Sequence, residues 1–465
     1  MKELLYNRLY ELYERHSQRL RIGLLGYGVT NKAALGLLLD IPFVDRITIR
    51  QKGISRIDLS ELKPNAIERI RLIGESLADP FASIDEDVLI PSPSVRRERL
   101  SLPNGTQIFT DLDLLVESKP NHLFAVSGSD GKSTTVDMAS LLLCPTFPDI
   151  FTGGNIGTPL WQARSVATAF LLELSSFNLR YTRFCGGRSL ITNVTPNHLD
   201  WHSGLAEYEE CKHSLIKMSS EPIINLSDPV SERWAGNTEC FCLISPDMPS
   251  KEVRAKYKTE HTVTIESGVI LLDGERIVSI EEVRRKEKHN LLNLASAIAL
   301  SIGYTDRTRI REIAESYEGL AERCESTVID GITYVSSSID TTPLRTATTL
   351  RGLNKRVRII LGGRGKGLSL EPLREALKEY ALRIGIYGEI GEEIERFIDS
   401  DTELIKIPHE RFDLFDEAVD FVTEGVRNGD TVLLSPAATG YGEFRDYKDR
   451  AAHFKAYIRK RHKKN

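Results

Sequence analysis

Short hydrophobic runs alternate with glycine-rich turns and amphipathic stretches along most of the chain. Residues 20–25, 123–126 and 357–361 are such runs, and each precedes a turn with two or more glycines. A buried strand, a tight turn and a helix in repeated succession are typical of parallel sheets covered by helices. The pattern therefore predicts an α/β fold, with ligand sites at the carboxyl ends of the strands.

Length and spacing divide the predicted fold into three domains. A chain of 465 residues exceeds the roughly 100–200 residues of a single domain. We place an N-terminal domain at 1–118, a central domain at 119–318 and a C-terminal domain at 319–465. The two outer domains are predicted to be Rossmann-like, and the central one to be an ATPase domain with a parallel sheet and a phosphate loop.

Composition narrows the class of protein further. Hydrophobic residues make up 41% and charged residues 27% of the chain, as in ordinary soluble proteins. The net charge of −5 argues against nucleic acid as the main partner. No apolar run approaches the roughly 20 residues that span a bilayer, and the N-terminus has the pattern of an amphipathic helix rather than a signal peptide. We expect a cytoplasmic protein without a membrane partner. We also expect a monomer, since nothing in the sequence argues for an obligate dimer.

The most informative stretch is Gly128-Ser129-Asp130-Gly131-Lys132-Ser133-Thr134, which lies between a predicted strand and a predicted helix. Backbone N–H groups of such a turn converge on phosphate oxygens at the start of the helix. Lys132 would add a charge on the β- and γ-phosphates, and the Ser133 hydroxyl would bind Mg²⁺. The motif is shorter than the full phosphate loop, because Val126 occupies the position of its first glycine. The stretch predicts an ATP site.

A second strand–turn–helix unit lies near the N-terminus. Gly26-Tyr27-Gly28 follows the first strand, but Asn31 stands where a dinucleotide fingerprint has its third glycine. The second strand ends in Arg50 instead of an acid, which disfavours NAD. Arg96, Arg97 and Arg99, farther along, are interpreted as a solvated face.

Three polar residues are predicted to lie near the phosphate loop, at or after the carboxyl ends of neighbouring strands. Glu173 ends one predicted strand, His198 follows another, and Lys212 lies on the next helix. Each has an ordinary alternative: a helix cap or ion pair, a core histidine and a surface lysine. Together with Lys132 and Ser133, they suit phosphoryl transfer, which depends on positioning and on neutralising phosphate charge with Mg²⁺.

Seven motifs, in order between about residues 20 and 460, resemble those of the Mur ligases, most closely the D-glutamate-adding (MurD) type. They are residues 128–134, 153–157, 173–178, 193–200, 208–212, 289–293 and 434–437. The resemblance implies an ATP-dependent amide ligase of peptidoglycan synthesis. Such an enzyme joins D-glutamate to UDP-N-acetylmuramoyl-L-alanine through an acyl phosphate.

The resemblance also implies roles for individual residues. The catalytic residues would be Lys132, Glu173, His198, Lys212 and Lys366. Ser133 and Glu173 would hold one Mg²⁺, and His198 and Lys212, the latter as a carbamate, would hold a second. ATP would be bound by residues 128–134 with Asn290, Asn293 and Arg323. The substrates would be bound by Gly26, Tyr27, Gly28, Thr30, Arg50, Asn155, Ser175, Asn178, Thr341 and Tyr447.

The departures from the family pattern lie mostly in the third domain. Ser337 replaces an acid that contacts the nucleotide, Ile339 replaces a lysine near the acidic substrate, and Gly440 replaces a serine that holds the D-glutamate carboxylate. Asp340 is a candidate to take over part of the acid's role. Two alternatives therefore stay open: a Mur-type ligase for another amino acid, and a degenerate homologue that binds nucleotide as a scaffold or regulator.

Overall fold

The computed structural model contains three mixed or parallel sheets with helices packed on them, which confirms the α/β class. Two compact units divide the chain, Met1–Tyr317 and Glu318–Asn465. The predicted boundary at residue 118, inside the first unit, stays a prediction. The structure describes residues 1–15, 19–51, 59, 62, 64–74, 84–155, 158–182, 186–199, 201–319, 325–353 and 355–462.

The first sheet is parallel throughout, with strand order β3-β2-β1-β4-β5. Its strands are β1 (Leu20–Leu25), β2 (Val44–Arg50), β3 (Ile70–Ile73), β4 (Val88–Pro91) and β5 (Gln107–Ile108). The helices of this region are α1 (Lys2–Arg15), α2 (Val29–Leu39), α3 (Pro64–Ile67) and α4 (Asp111–Glu117). Strand β1 lies at the centre and leads directly into the Gly26 turn.

The second sheet has the order β14-β13-β12-β11-β10-β9-β6-β8-β7. Its strands are β6 (Leu123–Ser127), β7 (Phe151–Gly154), β8 (Phe170–Glu173), β9 (Arg188–Ile191), β10 (Glu221–Asn225), β11 (Cys240–Ser245), β12 (Thr259–Glu266), β13 (Val269–Leu272) and β14 (Glu275–Ser279). The pairs β12–β13 and β13–β14 are antiparallel and the other pairs parallel. Strands β8 and β9 flank β6, so their carboxyl ends lie on either side of the phosphate loop.

Seven helices accompany this sheet in the described part of the chain. They are α5 (Lys132–Leu143), α6 (Ser176–Tyr181), α7 (Leu205–Lys217), α8 (Pro229–Ala235), α9 (Ser250–Lys256), α10 (Lys288–Ser301) and α11 (Arg307–Ser316). Helices α5 and α10 contact each other, and apolar residues of both enter one hydrophobic cluster with Val126 of β6. This packing fixes the helix that begins at the phosphate loop.

The second unit holds the third sheet, with order β15-β16-β20-β17-β18-β19. Its strands are β15 (Glu325–Ile329), β16 (Ile332–Ser336), β17 (Val357–Gly362), β18 (Ala381–Tyr387), β19 (His409–Phe412) and β20 (Thr431–Leu434). Its helices are α12 (Pro343–Leu353), α13 (Arg374–Tyr380), α14 (Gly391–Asp399), α15 (Phe415–Thr423) and α16 (Tyr447–His462). Only β15 runs antiparallel to its neighbour. None of the helices in the described ranges has the length and apolarity to cross a bilayer.

Candidate active site

The phosphate loop joins β6 to α5 through a backbone that requires glycine twice. Gly128 has φ +143° and Gly131 has φ +81°, conformations that side chains rarely adopt. A Cβ on Gly128 would overlap Thr192 Oγ1, and a Cβ on Gly131 would overlap Asn293 Oδ1. The glycines therefore allow close approach of neighbouring segments and direct the loop to the N-terminus of α5, as anion binding needs.

The segment after β9 holds this loop in place. The Ser129 N–H donates to Asn193 O at 2.9 Å, and the Asp130 N–H donates to Asn193 Oδ1 at 2.9 Å. In return, Thr192 Oγ1 donates to Asp130 O at 2.6 Å. Thr192 and Asn193 thus satisfy two N–H donors and one carbonyl acceptor of the loop. These bonds preorganise the loop before any ligand binds.

Two lysines converge on the loop. Lys132 Nζ donates to Gly128 O and Ser129 O at 3.0 Å each, and Lys212 Nζ donates to Gly128 O at 2.7 Å. Lys212 is 1% exposed. Burial, reinforced by the charge of Lys132, holds the pKa of Lys212 well below its ordinary value. A buried amine of lowered pKa is a better nucleophile than an ordinary surface lysine.

Glu173, the last residue of β8, presents a buried carboxylate beside the loop. It is 2% exposed and pairs in register with Val126 of β6. Its Oε1 accepts a hydrogen bond from Asn155 Nδ2 at 3.3 Å, and its backbone carbonyl accepts one from the Asn155 N–H. Glu173 has no ion pair within the described ranges. A buried carboxylate without a paired cation fits a bound Mg²⁺.

His198 lies in a tight turn after β9. Its backbone has φ +55°, which is strained for a residue with a side chain. Its N–H donates to Asn197 Oδ1, and its carbonyl accepts from the N–H groups of Trp201 and His202 at 3.0 and 2.9 Å. These bonds hold the histidine at the strand end, where a metal ligand is expected. The hydroxyl of Ser133, the carboxylate of Glu173 and the imidazole of His198 are donors that suit Mg²⁺ or a close analogue.

The two candidate adenine contacts lie at the start of α10. Asn290 Nδ2 donates to Glu287 Oε2 at 2.9 Å. Asn293 Oδ1 accepts from Thr135 Oγ1 at 3.4 Å, whereas its buried Nδ2 has no hydrogen-bond partner among the described residues. An unsatisfied buried donor costs stability, and a nucleotide group beside the loop would satisfy it. Arg323, the third candidate, lies outside the described residues.

The Gly26 turn of the first sheet keeps its shape without a third fingerprint glycine. Gly26 has φ +77°, and Tyr27 N–H donates to Gln51 Oε1 at 2.6 Å. Gly28 precedes α2, and Thr30 lies in its first turn. The buried Asn31 side chain donates to the carbonyls of three residues at the turn and the adjacent strand, Leu25, Gly26 and Ile90. Asn31 therefore replaces the missing glycine with an anchoring role that the sequence analysis missed.

Arg50 lies in the interior rather than on a binding surface. Its side chain is 1% exposed, and its guanidinium bonds the fully buried carboxylate of Glu86 at 3.0–3.3 Å. These contacts assign Arg50 a structural role in β2, and its contact with a nucleotide stays a prediction. The interpretation of Arg97 as part of a solvated face is wrong. Arg97 pairs with Asp113 and covers the Tyr181 ring, and Arg96 covers Trp201.

Ser175 and Asn178 form the N-terminal capping box of α6. Ser175 Oγ donates to Asn178 Oδ1 at 2.5 Å and accepts from the Asn178 N–H at 3.2 Å. Their side chains therefore fix the start of the helix that follows Glu173. A substrate that contacts them would meet polar groups already held in one geometry.

A polar cluster around α7 also escaped the sequence analysis. The side chains of His202, Glu207 and Cys211 place donor atoms within 4.8 Å of one another. His202 Nδ1 bonds Glu207 Oε1 at 3.2 Å and its Nε2 bonds Ser176 Oγ at 2.9 Å. The cluster ties the His198 turn to both α6 and α7. It joins residues up to 26 positions apart, so no local spacing indicates it.

Comparison with known proteins finds similarity to the Mur ligases. A model of the Mur ligase middle domain matches residues 126–301. UDP-N-acetylmuramoylalanine–D-glutamate ligase of Ruminiclostridium cellulolyticum is 27% identical, over 97% of this chain and 99% of the relative. The protein of the same name from Pseudothermotoga lettingae is 28% identical, over 93% and 96%. The chain is thus similar to Mur ligases of the D-glutamate-adding type over nearly its whole length, and its central part matches the family's middle domain.

Solved structures of a Mur ligase and a pseudomurein ligase share the fold. UDP-N-acetylmuramate–alanine ligase MurC from Thermotoga maritima superposes with a TM-score of 0.61 at 17% identity, covering 95% of this chain and 99% of its own. A pseudomurein peptide ligase type C from Methanothermus fervidus gives 0.54 at 15% identity, covering 89% and 96%. At these identities the likeness concerns architecture alone.

The second unit of the chain brings together the remaining candidates. Lys366 Nζ donates to Thr341 Oγ1 at 3.0 Å. Tyr447 begins α16, and its carbonyl accepts from Ser338 Oγ at 2.8 Å. Thr341 and Ser338 belong to one loop after β16. Lys366 supplies a cation to the part of this loop where the family pattern expects an acidic substrate.

In the second unit, the residues that depart from the family pattern are buried or closely packed against their neighbours. Ile339 is buried, and the buried Asp340 accepts hydrogen bonds from Thr349 Oγ1 and Ser435 Oγ at 2.7 Å each. Asp340 is thus engaged inside the unit, and in this conformation it does not take over the role of the missing acid. A Cβ on Gly440 would lie 2.8 Å from Asp446 O, so the backbone leaves no room for the serine of the family pattern.

Arg450 of α16 connects the loop after β16 with the loop after β20, a role that the sequence analysis missed. It is fully buried. Its guanidinium donates to Ser338 Oγ and Ser338 O at 2.9 and 2.8 Å, to Ala438 O at 3.1 Å and to Tyr387 OH at 3.0 Å. One side chain therefore fixes the loop that carries Thr341 and the loop that carries Gly440.

Proposed function

We propose that this chain is the MurD-type ligase, which joins D-glutamate to UDP-N-acetylmuramoyl-L-alanine at the expense of ATP in peptidoglycan synthesis. The observation that carries the proposal is the convergence of Lys132 and Lys212 on one phosphate loop, with the buried Glu173 at the end of the neighbouring strand. The nearly full-length match to relatives of that name supports the choice of substrates.

Transfer of the γ-phosphoryl group to the substrate carboxylate requires positioning and neutralised charge. The loop N–H groups would bind the phosphates, and Lys132 would exchange its loop carbonyls for phosphate oxygens. Ser133 and Glu173 would hold one Mg²⁺, and His198 and Lys212 would hold a second. These ions would supply charge neutralisation at the transferring group. The resulting acyl phosphate is then open to attack by the amine of the amino acid, with release of phosphate.

Lys212 would act in this scheme as a carbamate. Its amine attacks CO₂, an N–C bond forms, and one N–H proton leaves to solvent. The product is an anion, which removes the repulsion between a buried ammonium and Lys132. The lowered pKa of the Lys212 amine favours this reaction at neutral pH.

The amino-acid end of the reaction would lie at Lys366, Thr341 and Tyr447. Lys366 would pair with a carboxylate of D-glutamate in place of the lysine that Ile339 replaces. A second candidate, the same ligation with another amino acid, is favoured by Ile339 and Gly440, which remove a cation and a hydroxyl from this pocket. The degenerate homologue is disfavoured, because a nucleotide-binding scaffold has no need of Lys132, Glu173, His198 and Lys212 together.

The experiment is phosphate release from ATP with UDP-N-acetylmuramoyl-L-alanine, with and without D-glutamate and with a panel of other amino acids. Release that depends on D-glutamate supports the MurD assignment. Release with a different amino acid alone would refute it and favour the second candidate. ATP binding without release for any amino acid would favour the degenerate homologue.

Substitution of Lys212 by Met should abolish release while binding of an ATP analogue persists, because α7 keeps its packing but loses the carbamate. We expect a rate loss of at least about a hundredfold, as for removal of a group that stabilises transition-state charge. Lys217→Met is the matched control, since Lys217 lies on the same helix and pairs only with the exposed Glu210 in the described structure. Equal activity of the two variants would contradict the role of Lys212.

A further inference from the structure

A line of contacts connects the nucleotide turn of the first sheet with the His198 turn of the second. The loop after β4 begins beside the Gly26 turn, where Ser92 N–H donates to Leu25 O at 2.8 Å. A Cβ on Gly26 would lie 3.1 Å from Ser92 Oγ. This hydroxyl is buried and has no hydrogen-bond partner among the described residues. The start of the loop thus faces the candidate nucleotide-sugar site with an unsatisfied polar group.

The same loop reaches the second sheet through Trp201. The indole Nε1–H donates to Ser94 O at 2.7 Å. The Arg96 guanidinium lies 5.2 Å from the centre of the Trp201 ring, within the range of a cation–π contact. Arg96 forms no ion pair with any residue in the described ranges. The indole is therefore held by two residues of the β4 loop, one through its N–H and one through its face.

Trp201 is also part of the turn that presents His198. Its backbone N–H donates to His198 O at 3.0 Å. Its ring packs on Phe177 at 4.4 Å between centroids, and Phe177 packs on the His198 ring at 4.8 Å. Because His198 has a strained backbone with φ +55°, its orientation depends on such surrounding contacts.

We propose that Trp201 is a positioning residue that couples occupancy of the nucleotide-sugar site to the placement of His198. This inference rests on the proposed function. Nucleotide-sugar bound at Gly26 and Ser92 orders the β4 loop, the loop orders the indole, and the indole orders the metal-binding histidine. Such coupling is reciprocal, so the nucleotide-sugar tightens metal binding by the same factor by which the metal tightens nucleotide-sugar binding.

The test is metal binding itself, measured with Mn²⁺ by electron paramagnetic resonance. The full-length protein with a non-hydrolysable ATP analogue is titrated with and without UDP-N-acetylmuramoyl-L-alanine. In the wild type, the nucleotide-sugar is expected to tighten Mn²⁺ binding at least about threefold. Trp201→Phe keeps a ring on Phe177 but loses the N–H donor to Ser94. The ratio should therefore fall to about one in this variant.

Two further variants separate coupling from simple damage to the fold. Trp234→Phe is the matched control, because Trp234 stacks on His213 instead, and its ratio should equal that of the wild type. Arg96→Gln leaves Trp201 in place and should reduce the ratio about twofold, in line with an exposed cation–π contact.

A wild-type ratio of one, or an unchanged ratio in both Trp201→Phe and Arg96→Gln, would overturn the inference and leave the proposed function intact. Equal loss of Mn²⁺ affinity with and without nucleotide-sugar would assign Trp201 a structural role only, and would overturn it too. A wild type that binds no UDP-N-acetylmuramoyl-L-alanine would overturn the proposed function, and the inference with it.

Discussion

Arg50→Met removes the cation from the most deeply buried ion pair of the first sheet. Arg50 is 1% exposed and the side chain of Glu86 is fully buried, with contacts of 3.0–3.3 Å between them. The substitution preserves much of the volume and leaves the Glu86 carboxylate without its main partner. It therefore measures what the pair does for β2 and β4.

The expected loss of stability is about 3–5 kcal/mol, the cost of leaving one charge of a buried pair uncompensated. Since tenfold in an equilibrium corresponds to about 1.4 kcal/mol, the amide protons of β1 and β2 should exchange at least about a hundredfold faster. The double variant Arg50→Met with Glu86→Met should recover most of the loss, because two apolar side chains in place of a buried ion pair are often neutral or stabilising.

Native-state hydrogen exchange resolves the first sheet without requiring the whole chain to unfold in one step. Lys2→Met provides the control, because Lys2 and Asp40 form an ion pair whose side chains are 65% and 59% exposed. Loss of that pair should change the stability by less than about 1 kcal/mol. Unchanged exchange in Arg50→Met, together with a higher KM for the nucleotide-sugar, would refute the structural assignment and restore Arg50 as a binding residue.

Three other predictions concern single residues. Burial raises the pKa of Asp111 to about 7 from 3.8, so the unfolded chain ionises first and stability falls between about pH 4 and 7. Asp111→Asn should leave the free energy of unfolding unchanged at pH 4 and raise it by up to about 4 kcal/mol at pH 8. Urea unfolding at both pH values measures this difference, and an equal effect at both would contradict the prediction. Gly131→Ala should weaken binding of an ATP analogue at least about tenfold, as measured by calorimetry, because φ is strained there and the added Cβ would overlap Asn293. Gly36→Ala in α2 is the control and should leave binding unchanged, because a Cβ there meets no other atom. Arg450→Met should raise the KM for the amino acid more than the KM for ATP in steady-state assays, since its bonds fix two loops of the second unit; equal changes would argue against that role.

The sequence was most informative where local chemistry determines structure. Runs of apolar residues located β1, β6 and β17, and the glycine spacing at 128–131 located the phosphate loop, since both glycines adopt positive φ. The register of parallel strands then explains why Glu173 lies beside that loop. These features depend on only a few neighbouring residues.

The sequence did not predict contacts between distant segments of the chain. Trp201 meets Ser94 across 107 positions, and Arg450 meets Ser338 across 112. Arg50 was predicted to bind a nucleotide because arginine commonly contacts phosphate. Its burial, however, depends on Glu86, which lies on the segment that leads into another strand. A charged residue at a strand end has the same local pattern whether it faces solvent or a buried partner.

The close approach at Gly440 has a consequence for inhibitors and for evolution. A serine there would place its Cβ 2.8 Å from Asp446 O and 3.5 Å from the Tyr447 nitrogen, so restoring the family hydroxyl requires the start of α16 to move. Compounds designed to bind that hydroxyl in Mur ligases would lose this contact here. An escape mutation of Gly440 to serine would therefore damage the fold before it altered selectivity.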